Sequence, residues 1–139
     1  LTALSPSAAN WPCMSADMLA RISGESMPSM ANRSVPAGRR LVLCSGQLGI
    51  GPDDSVPDDA GAQAELCFAN IAAVLAEAGL GLGDIVRINA FVTGRAVMKP
   101  YMQVRDRLFS DPAPASTLII VSGFSRPEFK IEIEAIAAG

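Results

Sequence analysis

The stretch FKIEIEAIAA, residues 129–138, alternates without a break: Phe129, Ile131, Ile133 and Ala135 fall on one side, and Lys130, Glu132 and Glu134 on the other. A period of two belongs to a strand that lays one face on a core and turns a polar face away from it. A chain carrying such a segment needs a sheet, and it needs something apolar to cover one side of that sheet.

The rest of the chain supplies both. RRLVLCSGQLGI (39–50) reads as a strand in which Leu41 to Cys44 run apolar and Ser45-Gly46 breaks the pattern. GPDDSVPDD (51–59) is a turn-rich loop, and Asp58 or Asp59 can cap the helix that follows. In AGAQAELCFANIAAVLAEAGL (60–80), Ala64, Cys67, Phe68, Ile71, Val74, Leu75 and Ala78 recur at three and four residues and make one helical stripe, stopped by Gly79. DIVRINAFVTG (84–94) alternates as a strand. AVMKPYMQVRDRLFS (96–110) reads as a second helix with Val97, Tyr101, Val104 and Leu108 on its apolar face and Pro100 in its first turn. Two prolines then stiffen the approach to a strand over 116–122, which passes through the loop SGFSRPE to the alternating segment. The order strand, helix, strand, helix, strand, strand predicts an α+β fold, a single sheet backed by two helices on one face. Its other face is left for a homo-oligomer to bury.

Composition narrows the function. The 139 residues are enough for one domain, with no internal repeats, and no apolar run approaches the roughly 18–20 residues of a membrane span. The net charge is -3 and the pI about 4.8. With no stripe of Lys and Arg, the chain is a poor partner for nucleic acid, whose phosphates dominate affinity. There is no histidine, hence no commonest general base or zinc ligand. Cys13, Cys44 and Cys67 form no CxxC pair, so neither a zinc site nor a disulfide framework is supported, and a reducing cytoplasm suits them. Residues 1–27 read as an extension outside the core, with Met18, Leu19 and Ile22 as a short docking face.

Three stretches line up with one family. VLCSGQLGI (42–50) resembles the strand-end signature of the RidA (YjgF) family of enamine/imine deaminases. AQAELCFANIAAVLAEAGLGLGDIVRINAFV (62–92) resembles its central helix, glycine turn and next strand, and FKIEIEAIAA its last strand. The likeness runs over about residues 28–138. It implies a chorismate-mutase-like fold, a homotrimer with clefts between subunits, and cofactor-free hydrolysis of small enamines or imines to a keto acid and ammonia.

The resemblance also assigns roles. Glu132 matches the family acid that handles the attacking water, and Ser45 sits at the matching strand end. The family's Pro-Ala-Arg, whose guanidinium grips the substrate carboxylate, is here Pro114-Ala115-Ser116. Serine offers one neutral hydrogen bond, worth about 1 kcal/mol net against about 1.5–3 for a charged one. Met102 stands where members often carry Asn on the second helix, and Ser29 or Met30 where they carry Tyr. Arg105, Arg107 and Arg126 are the candidates to replace the missing guanidinium, Arg105 and Arg126 foremost, set against a plain surface ion pair such as Arg105 with Asp106. Arg87 on its strand's polar face is expected to pair with Glu132 or Glu134. Thr117 beside Ser116 has no base in view and is not a nucleophile. The rival reading is a trimer of the same fold that binds a small ligand without turnover. Ribonuclease and chorismate mutase activities both lack the cations they need.

Overall fold

A computed structural model describes residues 33–109 and 112–139, so the expectations for residues 1–27 and for Ser29 or Met30 lie outside the described residues. In chain order the elements are β1 (Leu41–Leu48), α1 (Ala60–Glu77), β2 (Ile85–Val92), α2 (Arg95–Leu108), β3 (Ala115–Ile120) and β4 (Ile131–Ala138). The sheet order is β1-β4-β2-β3. β4 is antiparallel to both neighbours, whereas β2 and β3 run parallel and are joined through α2. The four strands and two helices make the α+β architecture expected from the sequence.

The alternation of β4 sets the two faces. Ile131, Ile133, Ala135 and Ala137 are buried. They join Ile88, Ala90 and Val92 of β2 and Cys44 of β1 in a core closed by the helices. The opposite face mixes polar groups with Leu41, Leu43 and Ile119, which are 52%, 71% and 47% exposed.

Local chemistry fixes the helices. Asp59 caps α1 by accepting from the Ala62 amide at 2.8 Å, while Asp58 pairs with Lys130. The far end closes with Gly79 at φ +71°, the Gly79 amide on Ala76 and the Leu80 amide on Leu75, which satisfies the last carbonyls. Gln63, Cys67, Ile71 and Leu75 form the buried row of α1, and its step of four leaves Val74 on the solvent flank at 40% exposure. α2 starts at Arg95, so Pro100 lies beyond the first turn, and the helix buries Val97, Tyr101 and Val104 but leaves Leu108 exposed. Among the described residues no helix is long and apolar enough to cross a membrane.

Gln63 is fully buried with every polar atom paired. Its Nε2 donates to the Pro57 carbonyl at 2.8 Å and the Glu128 carbonyl at 2.9 Å, and its Oε1 accepts from the Lys130 amide at 2.9 Å. Gln63→Leu keeps the volume but strands these backbone groups, so urea unfolding is expected to show a loss of about 3 kcal/mol. Cys44 and Cys67 are free buried thiols. Burial pushes the Cys67 thiol up to about 12. Its folded value lies above the unfolded one, so its contribution is intact below about pH 8.5 and is lost as pH rises toward 12. Stability measured from pH 9 to 12 is expected to fall less steeply in Cys67→Ala than in wild type.

Candidate functional site

Glu132 lies on the outward row of β4, opposite Leu48 of β1 and Phe91 of β2. β1 is irregular between Cys44 and Gln47, and there Ser45-Gly46 bulges. Gln47 holds the bulge by donating from Nε2 to the carbonyls of Ser45 at 3.1 Å and Gly46 at 3.3 Å. The bulge brings the Gly46 backbone under the Glu132 side chain, and a Cβ at position 46 would fall on the carboxylate oxygen Oε1. Glycine is required here for close approach. The half-buried carboxylate of Glu132 takes part in no ion pair among the described residues.

Further along the same face runs a polar chain. Arg87 donates from Nε to Asn89 Oδ1 at 3.1 Å and from Nη2 to Thr117 Oγ1 at 2.8 Å, and Asn89 Nδ2 donates to Glu134 Oε2 at 3.3 Å. The expected direct pairing of Arg87 with Glu132 or Glu134 is therefore replaced by a relay through Asn89. The reason is register: Asn89, not Arg87, is the residue opposite Glu134. Arg87, Asn89 and Glu134, with Leu43, Ser45 and Ile136, border a hollow of about 270 Å³. Alternation could have flagged Asn89 and Glu134 as sharing a face, but only the strand register makes them neighbours.

Ser116 belongs to a different neighbourhood. It opens β3 opposite Ile88, which faces the helices, so alternation sets it on the other side of the sheet from Glu132. It is exposed, and the Tyr101 hydroxyl of α2 lies beside it. Arg105 covers the Tyr101 ring with its guanidinium 5.8 Å from the centroid, and bonds Asp106 through Nε at 2.8 Å and Nη2 at 2.6 Å. Burial raises the Tyr101 phenol, which stays protonated at neutral pH. Nothing in the sequence singled Tyr101 out from the other apolar-face residues of its helix.

Arg126 stands apart from both groups. Its guanidinium lies 4.9 Å from the Phe129 ring centroid and pairs with Glu128 at 2.6 Å and Asp54 at 3.7 Å. It borders a cavity of about 760 Å³ with Thr93, Gly94, Phe124 and Lys130. Within one chain, then, Gly46 and Glu132 come together, Ser45 shares a hollow with Arg87, Asn89 and Glu134, Ser116 and Arg105 both lie beside the Tyr101 hydroxyl, and Arg126 joins none of these groups. Met102 is exposed on α2. Among the described residues no group of three His, Cys, Asp or Glu side chains could hold a metal ion.

Residues 26–139 match the family described as Endoribonuclease L-PSP. Protein mmf2, mitochondrial, of Schizosaccharomyces pombe is 35% identical over 109 residues, covering 77% of this chain and 86% of that one. The 2-iminobutanoate/2-iminopropanoate deaminase of Escherichia coli is 33% identical over 105 residues, covering 70% and 78%. Among solved structures, E. coli TdcF with bound serine superposes with a TM-score of 0.67 at 31% identity, covering 76% of this chain and 84% of that one.

The contact between Gly46 and Glu132 yields a direct test. Gly46→Ala is expected to fold, because the obstructing group is the end of a side chain, yet to turn the Glu132 carboxylate away from the bulge. A crystal structure of the variant checks the rotation, and an unmoved carboxylate counts against the close approach.

Proposed function

Because the chain belongs to the Endoribonuclease L-PSP family, the RidA (YjgF) family of its sequence motifs, we propose that it hydrolyses a small reactive enamine or imine to a carbonyl compound and ammonia. The observation that carries this reading is the Glu132 carboxylate, held over Gly46 on the outward face of β4 and engaged in no ion pair among the described residues. An imine carbon is already electrophilic, so the protein has to position water and move protons. Glu132 takes a proton from water as its oxygen bonds to the imine carbon. The same carboxyl group returns that proton to nitrogen to give a carbinolamine; the carbinolamine O–H proton then passes through Glu132 to the nitrogen, the C–N bond breaks, and ammonia leaves as the C=O bond forms. An enamine enters this route after protonation on its carbon. Ser45, next to Gly46 in the bulge, hydrogen-bonds the substrate.

The working unit in this proposal is a homotrimer. Leu41, Leu43 and Ile119 are exposed on the sheet face that bears Glu132, and packing that face against neighbouring copies removes them from water. Because Ser116 lies on the opposite sheet face from Glu132 within one chain, the Ser116 and Arg105 that hold the substrate's acidic end in this proposal belong to the copy neighbouring the one that supplies Glu132. Arg126, already engaged by Glu128 and Asp54, has a structural role. A reducing compartment, the cytoplasm, fits the free buried thiols Cys44 and Cys67. The family's ribonuclease name carries no weight for this chain. Arg105, Arg107, Arg126 and Lys130 each face a carboxylate and make no basic track for a phosphate backbone.

The test is ammonia release from 2-aminocrotonate and 2-aminoacrylate, generated in place from threonine and serine. Wild type is expected to exceed the spontaneous rate, and Glu132→Ala to lose about 100-fold or more of that gain. Ser116→Arg is expected to lower KM for these carboxylates about tenfold, the difference between a neutral and a charged hydrogen bond. A wild-type rate equal to the spontaneous one, with Glu132→Ala altering only ligand affinity, would establish the ligand-binding trimer instead.

A further inference from the structure

The side chain of Tyr101 is fully buried, and its hydroxyl has no hydrogen-bond partner among the described residues. Buried hydroxyls are nearly always paired, and an exception calls for a reason. A phenylalanine would fill the same space against Phe68, whose ring lies 6.4 Å away, without an orphaned group. The polar groups beside the hydroxyl are the Ser116 hydroxyl and the Arg105 guanidinium. A guanidinium has no lone pair to accept a proton, so the phenol can donate only toward the Ser116 oxygen. A Ser116 that accepts from within must direct its own O–H outward, and Ser116 is exposed. Arg105 adds a guanidinium at the same seam between α2 and β3, with Nε and Nη2 on the exposed Asp106 and Nη1 outside that pair.

We propose that Tyr101 is a positioning residue that fixes Ser116 as a hydrogen-bond donor to the carboxylate of a small acid ligand, with Arg105 supplying the adjoining charge. It rests on the deaminase reading only in placing that ligand at the substrate site. The seam presents donors and a positive charge to a ligand, so it favours an anionic end over an ammonium, which it cannot pair with Arg105, and over a neutral carbonyl, which forms weaker bonds with the same donors. Ligand arrival brings the Tyr101 and Ser116 hydroxyls into bonding geometry, and the carboxylate shares Arg105 with Asp106.

The experiment is calorimetric titration of the full chain with 2-oxobutanoate, and with butanone as the probe lacking a carboxylate. Wild type is expected to bind 2-oxobutanoate and not butanone. Ser116→Ala and Tyr101→Phe are each expected to weaken binding roughly 5–10-fold, the size of one hydrogen bond. The double variant is expected to be no weaker than Ser116→Ala alone, since Tyr101 acts through Ser116. The melting temperature of Tyr101→Phe is expected to hold or rise, because the lost hydroxyl was unpaired. Additive losses, undiminished binding in Tyr101→Phe, equal effects on butanone, or no 2-oxobutanoate binding by wild type overturns the proposal. Ammonia release reads the deaminase reading separately. Coupled binding without release sinks the activity alone, and release without coupling sinks the role of Tyr101 alone.

Discussion

The buried carboxamide of Gln63 ties together the parts that meet at one end of the sheet. It joins α1 to the loop before that helix through Pro57, and to the approach of β4 through Glu128 and Lys130. The exit of β1 presses against the same residue: a Cβ on Gly49 would lie 2.5 Å from the Gln63 Cβ. A single side chain with donors and acceptor all satisfied sets where β1 leaves the sheet, where α1 begins and where β4 starts. The outward row of β4, and with it Glu132, inherits its position from that node. Buried polar networks of this kind specify one arrangement because any shift leaves a group unpaired.

The two faces of the sheet divide the chemistry. The helix side is mainly apolar, and its thiols Cys44 and Cys67 are raised by burial and stay neutral. The other side carries together the Glu132 carboxylate, unpaired among the described residues, a hydrogen-bonded polar chain and exposed leucines. The seam between α2 and β3 is a second polar patch, reached from a different direction. The substitution of Arg by Ser in the family motif does not leave a plain gap there, since Tyr101 and Arg105 crowd the same place.

The legible part of the fold was the part written in periodicity. The alternation over 129–138 marks β4 and its buried row, and the stripe from Ala64 to Leu75 marks α1. The errors fell at the margins of the helices. Val74 and Leu108 were counted into apolar faces that in fact stop short of them, because sequence spacing gives a stripe but not how far the opposing sheet extends. Pro100 sits deeper in α2 than its pattern suggested, since Gly94 and Arg95 start that helix earlier.

Site residues were legible one at a time and not as a set. Sequence alone determined that Glu132 lies on a polar strand face, that Ser45-Gly46 breaks β1, and that position 116 lacks a guanidinium, because these are statements about residue type and local period. Tertiary structure alone decided which of them are neighbours. Strand register gave Asn89 rather than Arg87 to Glu134 and set Ser116 on the opposite face from Glu132, while the bulge at Gly46 brought a backbone under the carboxylate. The packing of α2 on β3 turned Tyr101 from one more core residue into a buried hydroxyl facing Ser116. Such meetings depend on residues distant in the chain, whose pairing follows from how whole elements pack and not from any local preference.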